Sequence, residues 1–284
     1  MALTRMQAYS TAVLAAFFLV AVPDARASQV MTYRDCLAMV DDNPVSAYGA
    51  ALQWQKDGGG ASAKHCMALA LTGQGEHAQA AQKLEEVAMD IAVQADAFRR
   101  VPQLLSQAAN AWLLADNGPE AERVLGDALD RRGLRQGMRI DLLIDRSRAH
   151  AMQEDYDAAL EDLNTAYGFT GPAADVLIYR ASAHRLLGNV EQAQEDIEQA
   201  LRLVPDDVDA LYERAVLKAQ LGDLQDARED WARIIQLDPH SGAAAAAQQN
   251  LVNLEAAIAE ASVEPAATPP APAFQSPDPE ADRE

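Results

Sequence analysis

Aromatic residues are scarce in this 284-residue sequence. Phenylalanine, tryptophan and tyrosine together make up 5% of it, so a surface of stacked rings for nucleic-acid bases or sugars is not expected. Basic residues are also few: 23 lysines and arginines stand against 43 aspartates and glutamates, a formal net charge of −20. A field of this sign repels nucleic acid and anionic lipid surfaces. It favours solubility, and it could also attract a basic partner.

The sequence also lacks the short motifs of common catalytic and metal sites. It contains no His-Glu-x-x-His, nucleophile elbow or dinucleotide-binding fingerprint. The glycine run at residues 58–60 is not followed by Gly-Lys-Ser/Thr, so a flexible turn is a better interpretation than a phosphate loop. We therefore predict no catalytic residue, no metal and no cofactor. The sequence indicates a protein that is not an enzyme.

What the chain does contain is a repeat between Ala174 and Pro239. Two segments match at an interval of 34 residues, a period typical of stacked helix–turn–helix units. The matching pairs are Tyr179-Arg180-Ala181 with Glu213-Arg214-Ala215, Leu187-Gly188-Asn189 with Leu221-Gly222-Asp223, Ala193 with Ala227, Asp196 with Asp230, and Leu203-x-Pro205 with Leu237-x-Pro239. One such unit cannot bury its apolar face alone, so neighbouring units must stack.

Each unit has the pattern of two helices. Apolar and small residues recur at close to 3.6-residue spacing from Val176 to Leu187, and Gly188 then interrupts the stripe. A second stripe follows from Val190 to Leu201 and ends before Pro205. The buried stripes are rich in alanine, which allows two helices to approach closely.

This pattern resembles that of the tetratricopeptide repeat family. Ala181, Ala193 and Pro205 occupy family positions eight, twenty and thirty-two of one unit, and Ala215, Ala227 and Pro239 occupy them in the next. The family's leucine at position seven is replaced by arginine, and its tyrosine at position eleven by histidine or lysine. The resemblance implies an all-α fold, a right-handed α-solenoid of helix–turn–helix repeats.

The remaining chain divides around these units. Weaker copies precede them, with Asn117-Gly118-Pro119 as the turn of the second copy and an insertion around residues 131–137 that shifts the register by four residues. We predict a signal peptide at 1–27, an irregular helical cap at 28–60, five repeats at 61–94, 102–135, 140–171, 174–207 and 208–241, a capping helix at 243–261, and a disordered, proline-rich acidic tail at 262–284.

The first 27 residues have the features of a secretory signal. Arg5 precedes an apolar run from Val13 to Val22, and Ala25-Arg26-Ala27 offers a cleavage site. A membrane anchor is the alternative, but an apolar run of about ten residues is shorter than the roughly 20 that span a bilayer. We expect cleavage near Ala27, export to the periplasm or beyond, and no stable membrane insertion afterwards.

The chain has two cysteines, Cys36 and Cys66, each in a predicted helix. An even number in an exported protein suggests a disulfide, which would contribute about 3–4 kcal/mol by restricting the unfolded chain. Two buried thiols and a catalytic cysteine are the alternatives. His65 does not favour the catalytic one, because successive residues of a helix point in different directions. We predict a disulfide that holds the cap against the solenoid.

Arginine and aspartate recur together in three repeats, the aspartate always 16 residues after the arginine. A buried charge needs a partner, so we predict structural ion pairs between the two helices of a unit, in preference to an anion site. The pairs are Arg146 with Asp162, Arg180 with Asp196, and Arg214 with Asp230. His150 and His184, one repeat apart, are interpreted as packing residues rather than metal ligands.

The family resemblance also implies a partner-binding groove lined by the first helix of each repeat. Its residues would be Asn110, Leu113, Ile144, Arg148, Ile178, Ser182, Arg185, Tyr212 and Val216, with Met152 and Gln220 beside them. We predict a periplasmic interaction scaffold that binds a protein or peptide and no nucleic acid. Two alternatives stay open: a self-associating subunit of an envelope complex, and an enzyme with a site in the cap near Trp54 and His65.

Overall fold

The computed structural model describes residues 31–94 and 96–263, and all regular elements in these ranges are helices. The predicted signal peptide, and the predicted tail beyond residue 263, lie outside the described residues. The helices are α1 (Tyr33–Asp42), α2 (Pro44–Trp54), α3 (Gly60–Gly73), α4 (His77–Ile91), α5 (Ala97–Leu114), α6 (Gly118–Leu129), α7 (Gln136–Met152), α8 (Tyr156–Thr170), α9 (Ala174–Leu186), α10 (Val190–Leu203), α11 (Val208–Leu221), α12 (Leu224–Leu237) and α13 (Gly242–Val263), with a π-helical segment at Gln55–Gly59.

Successive helices from α3 to α12 pack as five antiparallel hairpins, each with a first and a second helix. Each first helix from α5 onward also lies against the first helix of the next hairpin, and α11 lies against α13 in the same way. No comparable contact joins successive second helices within the described ranges. The stack therefore bends with its first helices on the inside, and the predicted all-α solenoid is confirmed.

The core between the helices consists largely of alanine and branched aliphatic residues. One continuous cluster runs from α3 to α9, and a second joins α11, α12 and α13 around Trp231. Fully or almost fully buried alanines recur where second helices meet their neighbours, at Ala121, Ala128, Ala159, Ala166, Ala193 and Ala200. A methyl side chain at these positions keeps the helix axes close, which makes each hairpin dependent on the next.

The turn inside each hairpin contains one residue with a left-handed backbone. These residues are Gly75 (φ 76°), Asp116 (φ 54°), Glu154 (φ 60°), Gly188 (φ 78°) and Gly222 (φ 91°). Only glycine takes this conformation without steric strain between its Cβ and the backbone. Two of the five turns therefore carry strain that the other three avoid.

Glu154→Gly is expected to stabilise the protein by about 0.5–1 kcal/mol, because it removes the Cβ from a left-handed position. Glu154 is exposed, so little packing is lost. Urea unfolding followed by circular dichroism measures the change. Gly188→Ala, at the same place in the next hairpin, is the matched control and should destabilise by a similar amount. Equal stability of the three proteins would show that these turns are not strained.

The second hairpin differs from the sequence prediction at its start and at its internal turn. Its first helix begins at Ala97 instead of Pro102, so the proline lies inside α5. Gly118 and Pro119 belong to the first turn of α6, which Asn117 caps by accepting a hydrogen bond from the Glu120 amide. The residue that turns the chain is Asp116. Gly118 is small for a packing reason, since a Cβ there would lie 3.0 Å from the Ala149 carbonyl oxygen of α7.

The N-terminal cap consists of α1 and α2, which pack against α3. A disulfide joins Cys36 of α1 to Cys66 of α3, with Cα atoms 6.0 Å apart, and both cysteines are fully buried. Met67 and Trp54 pack around it. Among the described residues, none of the helices combines the length and hydropathy needed to cross a membrane.

Replacing both cysteines with serine is expected to lower the free energy of unfolding by about 3 kcal/mol, because the unfolded chain regains the freedom that the cross-link removes. Hydrogen exchange should show the loss in α1 and α2, with α9–α12 unchanged. The same comparison on the wild-type protein with and without reductant is the control. If α1 and α2 keep their protection, the cap is held by packing alone.

Candidate interaction surface

Three Arg–Asp pairs connect the first and second helices of the last three complete hairpins. In each, the arginine Nε and Nη2 donate to the two carboxylate oxygens of the aspartate. The distances are 2.7 and 2.6 Å for Arg146–Asp162, 2.7 and 2.5 Å for Arg180–Asp196, and 2.8 and 2.6 Å for Arg214–Asp230. The aspartates are at most 6% exposed. The hydrogen bonds to the aspartates raise the pKa of each arginine, so the guanidinium groups stay charged.

The surroundings of the three pairs differ. The ring of Tyr167 covers Arg180, with the guanidinium carbon 4.0 Å from the ring centre. Lys218 joins the third pair, its Nζ 3.1 Å from an Asp230 oxygen. His150 lies beside the first pair, its Nε2 3.6 Å from an Asp162 oxygen. The three pairs therefore share one geometry and differ in their neighbours: a histidine at the first, a tyrosine ring at the second and a lysine at the third.

A cleft of about 490 Å³ opens beside the first of these pairs, between α6, α7 and α8. Leu129 and Leu143, which are 8% and 5% exposed, contribute a small apolar area, and charged side chains form most of the remaining wall. The lining residues are Glu122, Leu129, Asp130, Arg139, Leu143, Arg146, His150, Ala158, Glu161, Asp162 and Thr165. The predicted groove did not include this region, because these side chains lie on second helices or face them.

Most residues of the predicted groove are buried, which corrects that prediction. Leu113, Ile144, Arg148, Ile178, Arg185, Tyr212 and Val216 are between 0% and 9% exposed, and only Asn110 and Ser182 are partly accessible. Met152 and Gln220, at the ends of their helices, are exposed. The buried residues therefore cannot form a binding surface without a change in the packing of the first helices.

The physical reason is that these side chains contact the next first helix. Arg185 of α9 donates to Glu213 of α11 at 2.9 Å, and both side chains are about nine-tenths buried. The Asn250 amide of α13 donates to the Tyr212 hydroxyl at 2.9 Å. Asn110 of α5 lies 3.5 Å from Asp145 of α7 in the same manner. The positions that were predicted to contact a ligand therefore connect one repeat to the next in this protein.

Burial raises the pKa of Tyr212 to about 12. Because the pKa in the folded state lies above the unfolded value near 10, this contribution to stability is complete below pH 10 and is lost as the pH rises toward 12. We therefore expect the free energy of unfolding to fall less for Tyr212→Phe than for the wild type as the pH rises from 10 to 12. Absorbance at 295 nm measures tyrosine ionisation, and the difference between the two proteins isolates residue 212. A difference titration centred near pH 10 would contradict its burial.

An acidic row remains accessible on the same first helices. It consists of Asp141, Asp175 and Asp209, which lie at 34-residue intervals on α7, α9 and α11, and all three are exposed. Partial burial, and then the carboxylate of Asp175, raise the pKa of Asp141, so neighbouring members of the row act on each other electrostatically. The sequence analysis missed this row, although three aspartates at the second position of successive repeats were a visible signal.

His184 and His65 have packing contacts. Burial lowers the pKa of His184 and keeps the ring neutral, and its Nδ1 lies 3.4 Å from Asn189. In the cap, His65 is stacked on Tyr33, whose hydroxyl lies 2.7 Å from Nδ1, and Gln107 lies 2.9 Å from Nε2. Both nitrogens of His65 are thus occupied in connecting α1, α3 and α5. No cluster of metal-ligating side chains occurs among the described residues.

Comparison with known proteins relates this geometry to one family. Residues 179–244 match the model of the tetratricopeptide repeat. No curated protein sequence matches significantly. Among solved structures, PilF of Pseudomonas aeruginosa is similar with a TM-score of 0.54 and 13% identity, over 78% of this chain and 95% of that one. A tetratricopeptide repeat protein of Parabacteroides merdae gives a TM-score of 0.51 and 17% identity, over 71% and 78%. At these low identities, the structural similarity shows a shared fold and nothing more.

Proposed function

From the tetratricopeptide repeat match at residues 179–244 and the shared fold, we propose that the protein is a non-enzymatic scaffold of the periplasm that binds a protein or peptide. The observation that carries the proposal is the acidic row on the inner side of the stack. Asp141, Asp175 and Asp209 place one carboxylate on each of three successive first helices. An extended segment that follows the stack can meet all three with lysine or arginine side chains. The proposed partner is therefore basic.

Two features of the described residues support recognition on this face. The first helices are fixed to one another by buried polar contacts such as Arg185–Glu213, so the carboxylates are held on a rigid support. Burial, and then the carboxylate of Asp175, raise the pKa of Asp141, so a cation placed between these two side chains would reduce their repulsion. Binding of this type depends on ionic strength, because exposed charges are screened over about 8 Å at physiological salt.

The test compares two triple variants with equal changes in net charge. The first neutralises the acidic row (Asp141→Asn, Asp175→Asn, Asp209→Asn). The control neutralises exposed carboxylates of second helices (Glu191→Gln, Glu195→Gln, Glu229→Gln). Partners recovered from periplasmic extract by the wild type are purified and titrated against all three proteins by calorimetry. We expect at least about tenfold weaker binding for the row variant only. Equal affinities for the three proteins would reject the proposed surface.

Export is tested separately from partner binding. A fusion of residues 1–27 to a reporter that is active only outside the cytoplasm should be active, and the mature protein should begin near Ser28 by mass spectrometry. An inactive fusion and an intact N-terminus would reject the proposed location and leave the acidic row as a candidate surface.

Self-association is a second candidate function, and α13 favours it. This helix packs on α11 and α12 through one face, while Val252 and Ile258 are 56% and 51% exposed. In the stack, α13 occupies the place of the first helix of a further hairpin. Light scattering after size exclusion tests this role: a dimer that Val252→Asp converts to a monomer would support it, and a monomeric wild type would reject it.

A further inference from the structure

The structure contains its own example of how an aromatic side chain binds an Arg–Asp pair. Tyr167, on the second helix of one hairpin, covers Arg180, on the first helix of the next hairpin. The guanidinium edge is occupied by Asp196, so a flat face remains for the ring. An arginine held in this way by a carboxylate is well prepared for stacking, because its side chain is already ordered.

The preceding pair has no such ring. Aligning Ala121, Leu125 and Ala128 of α6 with Ala159, Leu163 and Ala166 of α8 places Leu129 at the position of Tyr167. Leu129 is a shorter side chain, and it lines the cleft together with Arg146. The Arg146 side chain is 29% exposed, compared with 14% for Arg180. The cleft thus lies beside an ordered guanidinium where the neighbouring repeat carries its own tyrosine.

We propose that this cleft is a second binding site, which accepts an aromatic side chain, adjacent to lysine or arginine, from a partner polypeptide. The ring stacks on Arg146 as Tyr167 stacks on Arg180, and the small exposed parts of Leu129 and Leu143 lie beside it. The site lies between the second helices α6 and α8 and the side of the first helix α7 that faces them, and no residue of the acidic row lines it. The proposal rests on the proposed function only in requiring a polypeptide partner.

The preference for a basic neighbour follows from the charges around the cleft. Arg146 and Asp162 neutralise each other. Glu122, Asp130 and Glu161 then outnumber Arg139 among the lining residues. Glu122 and Asp130 lie near enough to Arg146 to act on it electrostatically. A cationic side chain next to the aromatic residue therefore meets a negative rim, whereas an acidic one is repelled.

The test uses two small probes, N-acetyl-lysyl-tyrosine amide and N-acetyl-lysyl-leucine amide. Each is titrated up to about 10 mM, the range expected for a single anchor side chain, into protein labelled with ¹⁵N-arginine. The tyrosine probe should shift the Nε signal of Arg146 and bind at least about fivefold more tightly than the leucine probe. Equal binding of the two probes, or no binding of either, would overturn the proposal.

Leu129→Tyr provides the sharper comparison, because it supplies the missing ring from within the chain. It should weaken binding of the tyrosine probe at least about tenfold. The control is Leu201→Tyr, the same register position one hairpin after Tyr167, which should bind as the wild type does. Unchanged binding by Leu129→Tyr would reject the site.

A further variant keeps the test valid if Leu129→Tyr does not fold. Glu161→Gln changes an exposed residue of the rim and should weaken the lysyl-tyrosine probe about two- to fivefold, without affecting a glycyl-tyrosine probe. An equal effect on both probes would contradict the role of the rim. The acidic-row variant should bind both probes normally, so the failure of one surface can be distinguished from the failure of the other.

Discussion

Replacing Asp196 with alanine is expected to lower the free energy of unfolding by about 3–5 kcal/mol, because it leaves the Arg180 guanidinium in the hairpin without its carboxylate. Asp196 is 3% exposed, and it accepts hydrogen bonds from Nε and Nη2 of Arg180. Neither water nor another carboxylate replaces this contact easily beneath the ring of Tyr167. Urea unfolding measures the total loss, and hydrogen exchange should place it in α9 and α10.

The control for this prediction is the exposed pair of Arg228 and Glu255, whose side chains are 52% and 61% exposed. Arg228→Ala should change stability by no more than about 1 kcal/mol, because solvent screens the pair. The double variant Arg180→Met/Asp196→Leu should recover much of the loss, since it removes both charges together. If Asp196→Ala were as mild as Arg228→Ala, the three Arg–Asp pairs would not be structural.

Replacing Tyr212 with alanine is expected to destabilise the protein by about 3–5 kcal/mol, through the cavity left by a buried ring. Tyr212 is fully buried, belongs to the cluster that joins α11, α12 and α13, and contacts Asn250 through its hydroxyl. Hydrogen exchange should show that α13 loses protection first. Tyr212→Phe, which keeps the ring and removes only one hydrogen bond, should lose about 1 kcal/mol.

The stability of Tyr212→Ala decides whether this variant can be used to test partner binding. A residue in an open groove would tolerate alanine to within about 0.5 kcal/mol, so a small change would restore Tyr212 as a candidate contact. If the free energy of unfolding falls by several kcal/mol, a loss of partner binding by Tyr212→Ala would result from the detachment of α13 and would not show a direct contact. The acidic row and the cleft are therefore better places for substitutions that test recognition.

The sequence by itself determined the architecture, because the information for it is local and repeated. Helical periodicity, small residues at fixed positions and proline after the second stripe indicate a hairpin from within about 34 residues. The Arg–Asp pairs were predictable for the same reason: Arg180 and Asp196 belong to one hairpin, and a charge among packing positions requires a partner. The start and the turn of the second hairpin were predicted wrongly, since Pro102 lies inside a helix and Asp116 takes a turn conformation that favours glycine.

Only the tertiary structure decided which surfaces are available. Whether Tyr212 or Arg185 faces a partner or the next helix depends on how closely successive first helices approach, and that distance is set by packing across the whole stack. The cleft depends on the same relation between hairpins, because Leu129 is an ordinary core residue until its place beside Arg146 is known. A repeat pattern specifies the contacts within a unit, whereas the curvature of the stack determines which positions remain exposed.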